Sequence, residues 1–375
     1  MRRLLLFFER FDWILLIAVL TLTSIGLVII YGIGVSREPN NLFPFYKQLL
    51  ALGIGVIAVT TLSFLDYRQL RSLSVICYLA GLVALIGVLF IGREVNGTRG
   101  WFGLGPLSFQ PVEFAKITLI VYLATFFTRQ GHGRLLWRVF AQSAVATFIY
   151  VGLVMLQPDF GSAMVMVGIW GLLCLFAGLP KRALIVIPTI ALIAGGFLWQ
   201  FGLRPYQKDR ILAFTHPQQV DIRGSGYNAA QARIAIGSGG WLGKGIGEGS
   251  QARLRFLPEA GTDFIFAVVG EELGFVGITI TIGLFGLVLY RFVQLAQDTG
   301  DDFATLLLIG MGSVFFIHLF VNAGMNLGVV PVTGIPLPFV SSAASSLTIG
   351  YLMIGLAESV AVRRRFMNGV IGGTP

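Results

Sequence analysis

The sequence predicts an all-α polytopic membrane protein: ten transmembrane helices in one domain, 1–375, with a large extracytoplasmic loop, 204–262, between spans 7 and 8. Three observations predict it. The chain is 55% hydrophobic and only 12% charged, too little polar surface to cover a water-soluble globule of 375 residues. Its 48 glycines far exceed the usual share of roughly 7%, which suits closely packed membrane helices and irregular backbone lining cavities. Its apolar residues also gather into segments near the ~20 residues that cross the hydrocarbon.

Those segments lie at 13–32, 46–65, 70–92, 111–128, 138–156, 159–178, 183–203, 266–292, 303–327 and 339–361. The first follows Met1-Arg2-Arg3 and a short apolar patch, Leu4 to Phe8, with no small-residue cleavage site after it, so it reads as a retained anchor. With the N-terminus cytoplasmic, the inner side carries fourteen Lys and Arg, from Arg2 to Arg365, whereas the short outer loops carry only Arg37, Lys47, Arg93 and Arg99. This bias places both termini inside. It also accounts for the net charge of +9 without nucleic acid as a partner. Cys77 and Cys174 fall inside apolar runs and read as packing residues, and His132, His216 and His318 match no metal-ligand spacing. No fixed-period repeat or inverted symmetry is visible, which disfavours a secondary transporter.

The 204–262 loop is too polar for membrane and too rich in glycine for one helix. It carries Arg204, Lys208, Arg210, Arg223, Arg233, Lys244, Arg253 and Arg255 against Asp209, Asp221, Glu248 and Glu259. A basic surface of this kind suits a pyrophosphate, because Arg forks match phosphate oxygens, and equally suits anionic lipid headgroups. The run Gly237 to Gly249 is not a nucleotide loop: Ser238 stands where the Walker pattern needs glycine, no Ser or Thr follows Lys244, and Leu242 breaks GxGxxG. It reads either as N–H groups turned to a phosphate or as a tight re-entrant turn.

Ionisable residues in or beside spans are Glu113, Lys116, Asp159, Asp263 and the pair Glu271-Glu272, all costly in lipid and so expected to face the interior or water. Glu113 and Lys116 share one helix face, which permits an internal ion pair. Asp159, after Gln157-Pro158, is placed to cap the sixth span. Asp263 sits where the long loop returns to the membrane; Thr262 could cap the helix in its place and leave the carboxylate for catalysis.

The stretch GSGGWLGKGIGEGSQARLRFLPEAGTDFIFAVVGEELG, Gly237 to Gly274, strongly resembles the SEDS family of RodA, FtsW and SpoVE. So do Asn96-Gly97-Thr98-Arg99-Gly100-Trp101, Phe109 to Lys116, and Gln157 to Ser162. The wording at 243–251 is closer to the RodA branch. The resemblance implies a peptidoglycan glycosyltransferase that polymerises lipid II on the outer face of the cytoplasmic membrane during elongation. It implies a class B penicillin-binding protein and other elongation-machinery proteins as partners. It puts the essential acid at Asp263, the functional tryptophan at Trp101 and the intramembrane pair at Glu113 and Lys116. Departures are Gly261 where the family usually has histidine, Gly100 before the tryptophan, and Ser341 to Ser346 in place of Ser-Tyr-Gly-Gly-Ser-Ser.

The reaction asks for a carboxylate that takes the proton of the attacking hydroxyl, and Asp263 is the candidate. The leaving pyrophosphate is already charged, so its departure asks for cations. Arg99, Arg210, Lys244, Arg253 and Arg255 are the candidates beside Trp101 for substrate binding. A divalent cation could also serve, although no cofactor or metal ligand is indicated. One base and a charged leaving group imply a single inverting displacement. A lipid II transporter and a non-catalytic scaffold for the penicillin-binding protein are the rival readings.

Overall fold

The computed structural model describes residues 10–36, 39–95, 98–104, 107–130, 136–180, 205–215 and 225–371, with a few more between 182 and 200. Apolar stretches free of internal proline become long helices: α1 (Trp13–Ser36), α2 (Phe43–Phe64), α3 (Arg68–Ile91), α4 (Pro111–Thr128), α5 (Trp137–Leu156) and α6 (Phe160–Phe176). The polar segment contributes α7 (Pro205–Thr215), α8 (Ser225–Ser238) and the single turn α9 (Ser250–Arg253). The chain then closes with α10 (Ile265–Asp298), α11 (Asp302–Leu327) and α12 (Ala344–Ile371).

Among the described residues eight helices, α1 to α5 and α10 to α12, are long and apolar enough to cross a membrane. The expected sixth span is α6, an apolar helix of 17 residues, and the expected seventh, 183–203, lies largely outside the described residues. The outer helices α2 and α3 leave Leu49, Ile57, Ile76, Val83 and Phe90 exposed, as a lipid-facing surface requires. By contrast α4 is buried on nearly every side and packs against α3, α5, α6 and α11. Proline at its first turn fits a helix start, where the missing N–H is not needed.

Two features depart from the expectation of uninterrupted helices. Among the described residues, β1 (Arg93–Val95), β2 (Thr98–Leu104) and β3 (Leu107–Phe109) form an antiparallel sheet of three short strands. Val95 pairs with Thr98, and the Asn96-Gly97 between them is the strongest short hairpin signal a sequence offers, so all-α is corrected to helical with one small sheet. The second departure is inside α10. Gly274 adopts φ 67°, ψ −163°, which splits the helix into Ile265–Leu273 and a longer arm from Phe275.

The far end of α10 is tied down by charge. Arg291 Nε donates to Asp12 Oδ2 at 2.9 Å and Oδ1 at 3.1 Å, while the Asp12 N–H donates to Glu358 Oε2 at 2.9 Å. At the same end Tyr67 OH donates to Asp301 at 3.0 Å.

Candidate active site

Asp263 occupies the turn between 258 and the start of α10, and it is gripped through its main chain. Asn322 Nδ2 and Asn326 Nδ2, both on α11, donate to its carbonyl at 2.9 and 3.2 Å. The neighbouring backbone is pinned by the segment before α12. Ser341 Oγ donates to the Thr262 carbonyl at 2.6 Å, and the Ser342 N–H donates to the Gly261 carbonyl at 2.8 Å. A Cβ at Gly261 would meet only Ser342 Cβ, at 3.9 Å, so space alone does not demand glycine there. Phe264 is the N-cap of α10, without a side-chain cap bond, and Thr262 Oγ1 donates instead to Glu259. Neither Thr262 nor Asp263 caps the helix.

This leaves a half-buried carboxylate in a charged setting. Burial pushes the Asp263 carboxyl up to about 6 from its ordinary 3.8; the Glu259 and Asp159 charges push the same way, and the Arg210 guanidinium opposes them. Gly334, at φ 77°, marks where these groups meet: a Cβ there would lie 3.3 Å from Asp263 Oδ2 and 3.8 Å from Arg210 Nη1. Four described non-glycine residues have positive φ: Pro158, Arg255, Glu259 and Phe339. Pro158 precedes Asp159, Glu259 is itself one of the site's carboxylates, Arg255 leads into the Asp263 turn, and Phe339 lies in the segment that pins it. At Arg255, Glu259 and Phe339 such backbone costs about 1–3 kcal/mol per residue, and it collects at functional sites.

The other predicted residues divide into two groups. Asp159 is the N-cap of α6, accepting from the Ser162 N–H at 2.9 Å and Ser162 Oγ at 2.7 Å, and its charge also reaches Asp263. Trp101 is half-buried on β2 opposite Arg93, and that strand runs beside Gln157, since a Cβ at Gly100 would stand 3.5 Å from Gln157 Oε1. Arg99 is exposed on the same strand, with Nη1 3.5 Å from the Leu89 carbonyl. Arg253 faces Glu248 at 3.4 Å on the surface, and Arg255 is exposed. Glu113 and Lys116 form the expected ion pair at 2.8 Å, both buried.

Lys244 lies elsewhere, and its surroundings explain the glycine-rich run. Its Nζ donates to Glu271 Oε1 at 2.7 Å and to Ser238 Oγ at 2.6 Å. The run is a backbone splice across the Gly274 break. The Lys244 and Gly245 N–H groups donate to the carbonyls of Glu271 and Glu272 at 3.0 and 3.1 Å, and the Phe275 and Val276 N–H groups donate to Gly240 and Trp241 at 2.9 and 3.1 Å. Hydrogen bonds lost at the break are thereby replaced, as irregular backbone at membrane depth requires. A Cβ at Gly243 would collide with the Glu272 carbonyl oxygen. The run is a tight turn, and the N–H groups of Lys244 and Gly245 are spent on Glu271 and Glu272.

Sequence reasoning passed over Glu259, Gly334, Asn322 and Asn326. The two asparagines were legible as polar residues four apart in an apolar span, which are costly in lipid unless they bind something. Among the described residues no group of three or more His, Cys, Asp or Glu is arranged to hold a metal ion.

Comparison with known proteins agrees with this architecture. The cell cycle protein family of FtsW, RodA and SpoVE matches residues 12–366. The peptidoglycan glycosyltransferase RodA of Treponema pallidum is 31% identical, over 94% of this chain and 98% of its own length. Stage V sporulation protein E of Bacillus subtilis is 35% identical, over 95% and 98%. A chain of a solved peptidoglycan synthase complex, described as coordinating polymerization and crosslinking, superposes with a TM-score of 0.80 at 35% identity, covering 95% of this chain and 98% of that one. Sequence and fold coincide over nearly the whole length, and the chain belongs to the FtsW/RodA/SpoVE family.

Proposed function

We propose that Asp263 is the general base with which this peptidoglycan glycosyltransferase polymerises lipid II, on the outer face of the cytoplasmic membrane. The observation that carries the reading is the carboxylate itself: half-buried, crowded by Glu259 and Asp159, and raised to about 6. A base in that range is ionised at neutral pH yet far more basic than an ordinary aspartate, which favours proton transfer. A sugar hydroxyl attacks the anomeric carbon of the donor. Its proton passes to an Asp263 oxygen, the bond from that carbon to the pyrophosphate oxygen breaks, and lipid pyrophosphate leaves with the electron pair. Among the described residues Arg210 is a cation whose charge reaches Asp263, and Arg99 and Trp101, on the sheet beside Gln157, supply a further binding surface. Arg253 and Arg255 precede the Asp263 turn and suit the outer phosphates. For Lys244 the contacts with Glu271 and Ser238 support a structural role.

The charge bias of the loops supports cytoplasmic termini. The wording at 243–251 supports the elongation branch, with a class B penicillin-binding protein and the elongation machinery as partners, and the similarity to a synthase complex supports that partnership. The test is polymerisation of labelled lipid II by the purified protein with a partner competent only in transpeptidation. Long glycan strands are expected; their absence would favour transport or scaffolding. Inversion at the anomeric carbon is expected in the product, and retention would rule out the single displacement.

A further inference from the structure

The residues that hold Asp263 belong to a longer polar path. His318, Asn322 and Asn326 follow at intervals of four along α11, so they form one stripe, and all three are buried. Asn322 Nδ2 donates both to the Asp263 carbonyl at 2.9 Å and to the Ile335 carbonyl at 2.8 Å, tying the Asp263 turn to the segment that carries Gly334. The next carbonyl, that of Pro336, meets His318 Nδ1 at 3.0 Å. On the other side of the ring, Lys116 Nζ lies 3.1 Å from His318 Nε2 and 2.8 Å from Glu113 Oε1.

These contacts fix the state of the ring. A carbonyl only accepts and an ammonium only donates, so the imidazole is neutral, with its proton on Nδ1 and its lone pair on Nε2 turned to Lys116. A buried ammonium needs more acceptors than one carboxylate offers, and a half-satisfied group is expensive where water is excluded. Each member of the path therefore restricts the next.

We propose that His318 is a positioning residue for glycosyl transfer: it anchors the Pro336 carbonyl to the Glu113–Lys116 pair and so holds the 334–336 backbone, Asn322 and the Asp263 turn in the reactive arrangement. This rests on Asp263 being the base. Displacement of reacting groups by about 1 Å can cost on the order of 100-fold in rate.

The test is steady-state polymerisation of labelled lipid II by the protein with its transpeptidase partner. Wild type, His318→Phe, His318→Asn and Asp263→Ala are compared, with thermal unfolding of each in detergent. His318→Phe keeps the ring volume and removes both polar contacts. It is expected to lower kcat roughly 10- to 100-fold while leaving KM near wild type, and His318→Asn, which retains a donor for Pro336, is expected to recover part of that loss. A folded His318→Phe with wild-type kcat beside an inactive Asp263→Ala would overturn the positioning role alone. A folded, fully active Asp263→Ala would instead overturn the reading beneath it. Should His318→Phe fail to fold, His318→Gln, which still reaches Lys116 with an acceptor but gives up the Pro336 donor, must show the same fall in kcat, and unchanged kcat there would overturn the proposal.

Discussion

The two ends of α10 each place an aspartate just before a helix, and they treat it in opposite ways. Asp12 receives Arg291 on both oxygens and also accepts from the Leu15 N–H at 3.2 Å, so its charge is met by donors on several sides. Asp263 is held by its carbonyl, and its carboxylate faces two further acids and one arginine. The difference teaches how to separate structural charge from chemical charge: a carboxylate saturated with donors braces the bundle, whereas one crowded by like charge is kept basic at a cost to stability.

The contrast can be broken by substitution. Arg291→Gln leaves a nearly buried Asp12 without its cation and is expected to lower stability by about 3 kcal/mol, with polymerisation per folded molecule unchanged; thermal unfolding and an activity assay on the same preparation check both. Asp263→Asn should do the reverse. Because the folded protein raises this carboxyl above its ordinary value, the ionised form is penalised at neutral pH, and a neutral amide is expected to raise stability by about 1 kcal/mol while abolishing polymerisation. A loss of stability would mean that the carboxylate braces the site after all.

The smallest expected effect sharpens the comparison. If Asp263 takes the proton it must be ionised, so the rate should fall as pH drops through about 6. Glu259→Gln removes a charge that raises this value and is expected to move the acid limb to lower pH. Arg210→Gln removes the opposing charge and is expected to move it to higher pH. Rate profiles between pH 5 and about 8 read both shifts, and shifts of the opposite sign would refute the electrostatic assignment.

Most of the helical framework was legible because apolar length is a strong signal in a chain whose solvent is lipid. Glu113 with Lys116 and the capping by Asp159 were legible for a similar reason: both depend on spacing within one helix. What joins Asp263 to Glu259, Arg210, Gly334 and Asn322 depends on segments that meet only in three dimensions, and no spacing encodes that. The small sheet is hard to read in the sequence although Asn96-Gly97 is a hairpin signal, because its strands are short beside the long apolar runs. In the glycine-rich run, composition showed a tight backbone, but its partner, the break at Gly274, lay inside an apparently continuous apolar span.

The central claim, that Asp263 takes the proton, is tested most directly by the pH dependence of lipid II polymerisation in wild type beside a folded Asp263→Ala. The account predicts an acid limb near pH 6 in wild type and a loss of about 100- to 10,000-fold in the variant. Wild-type rates from Asp263→Ala, or a wild-type rate that stays flat through pH 6, would contradict it.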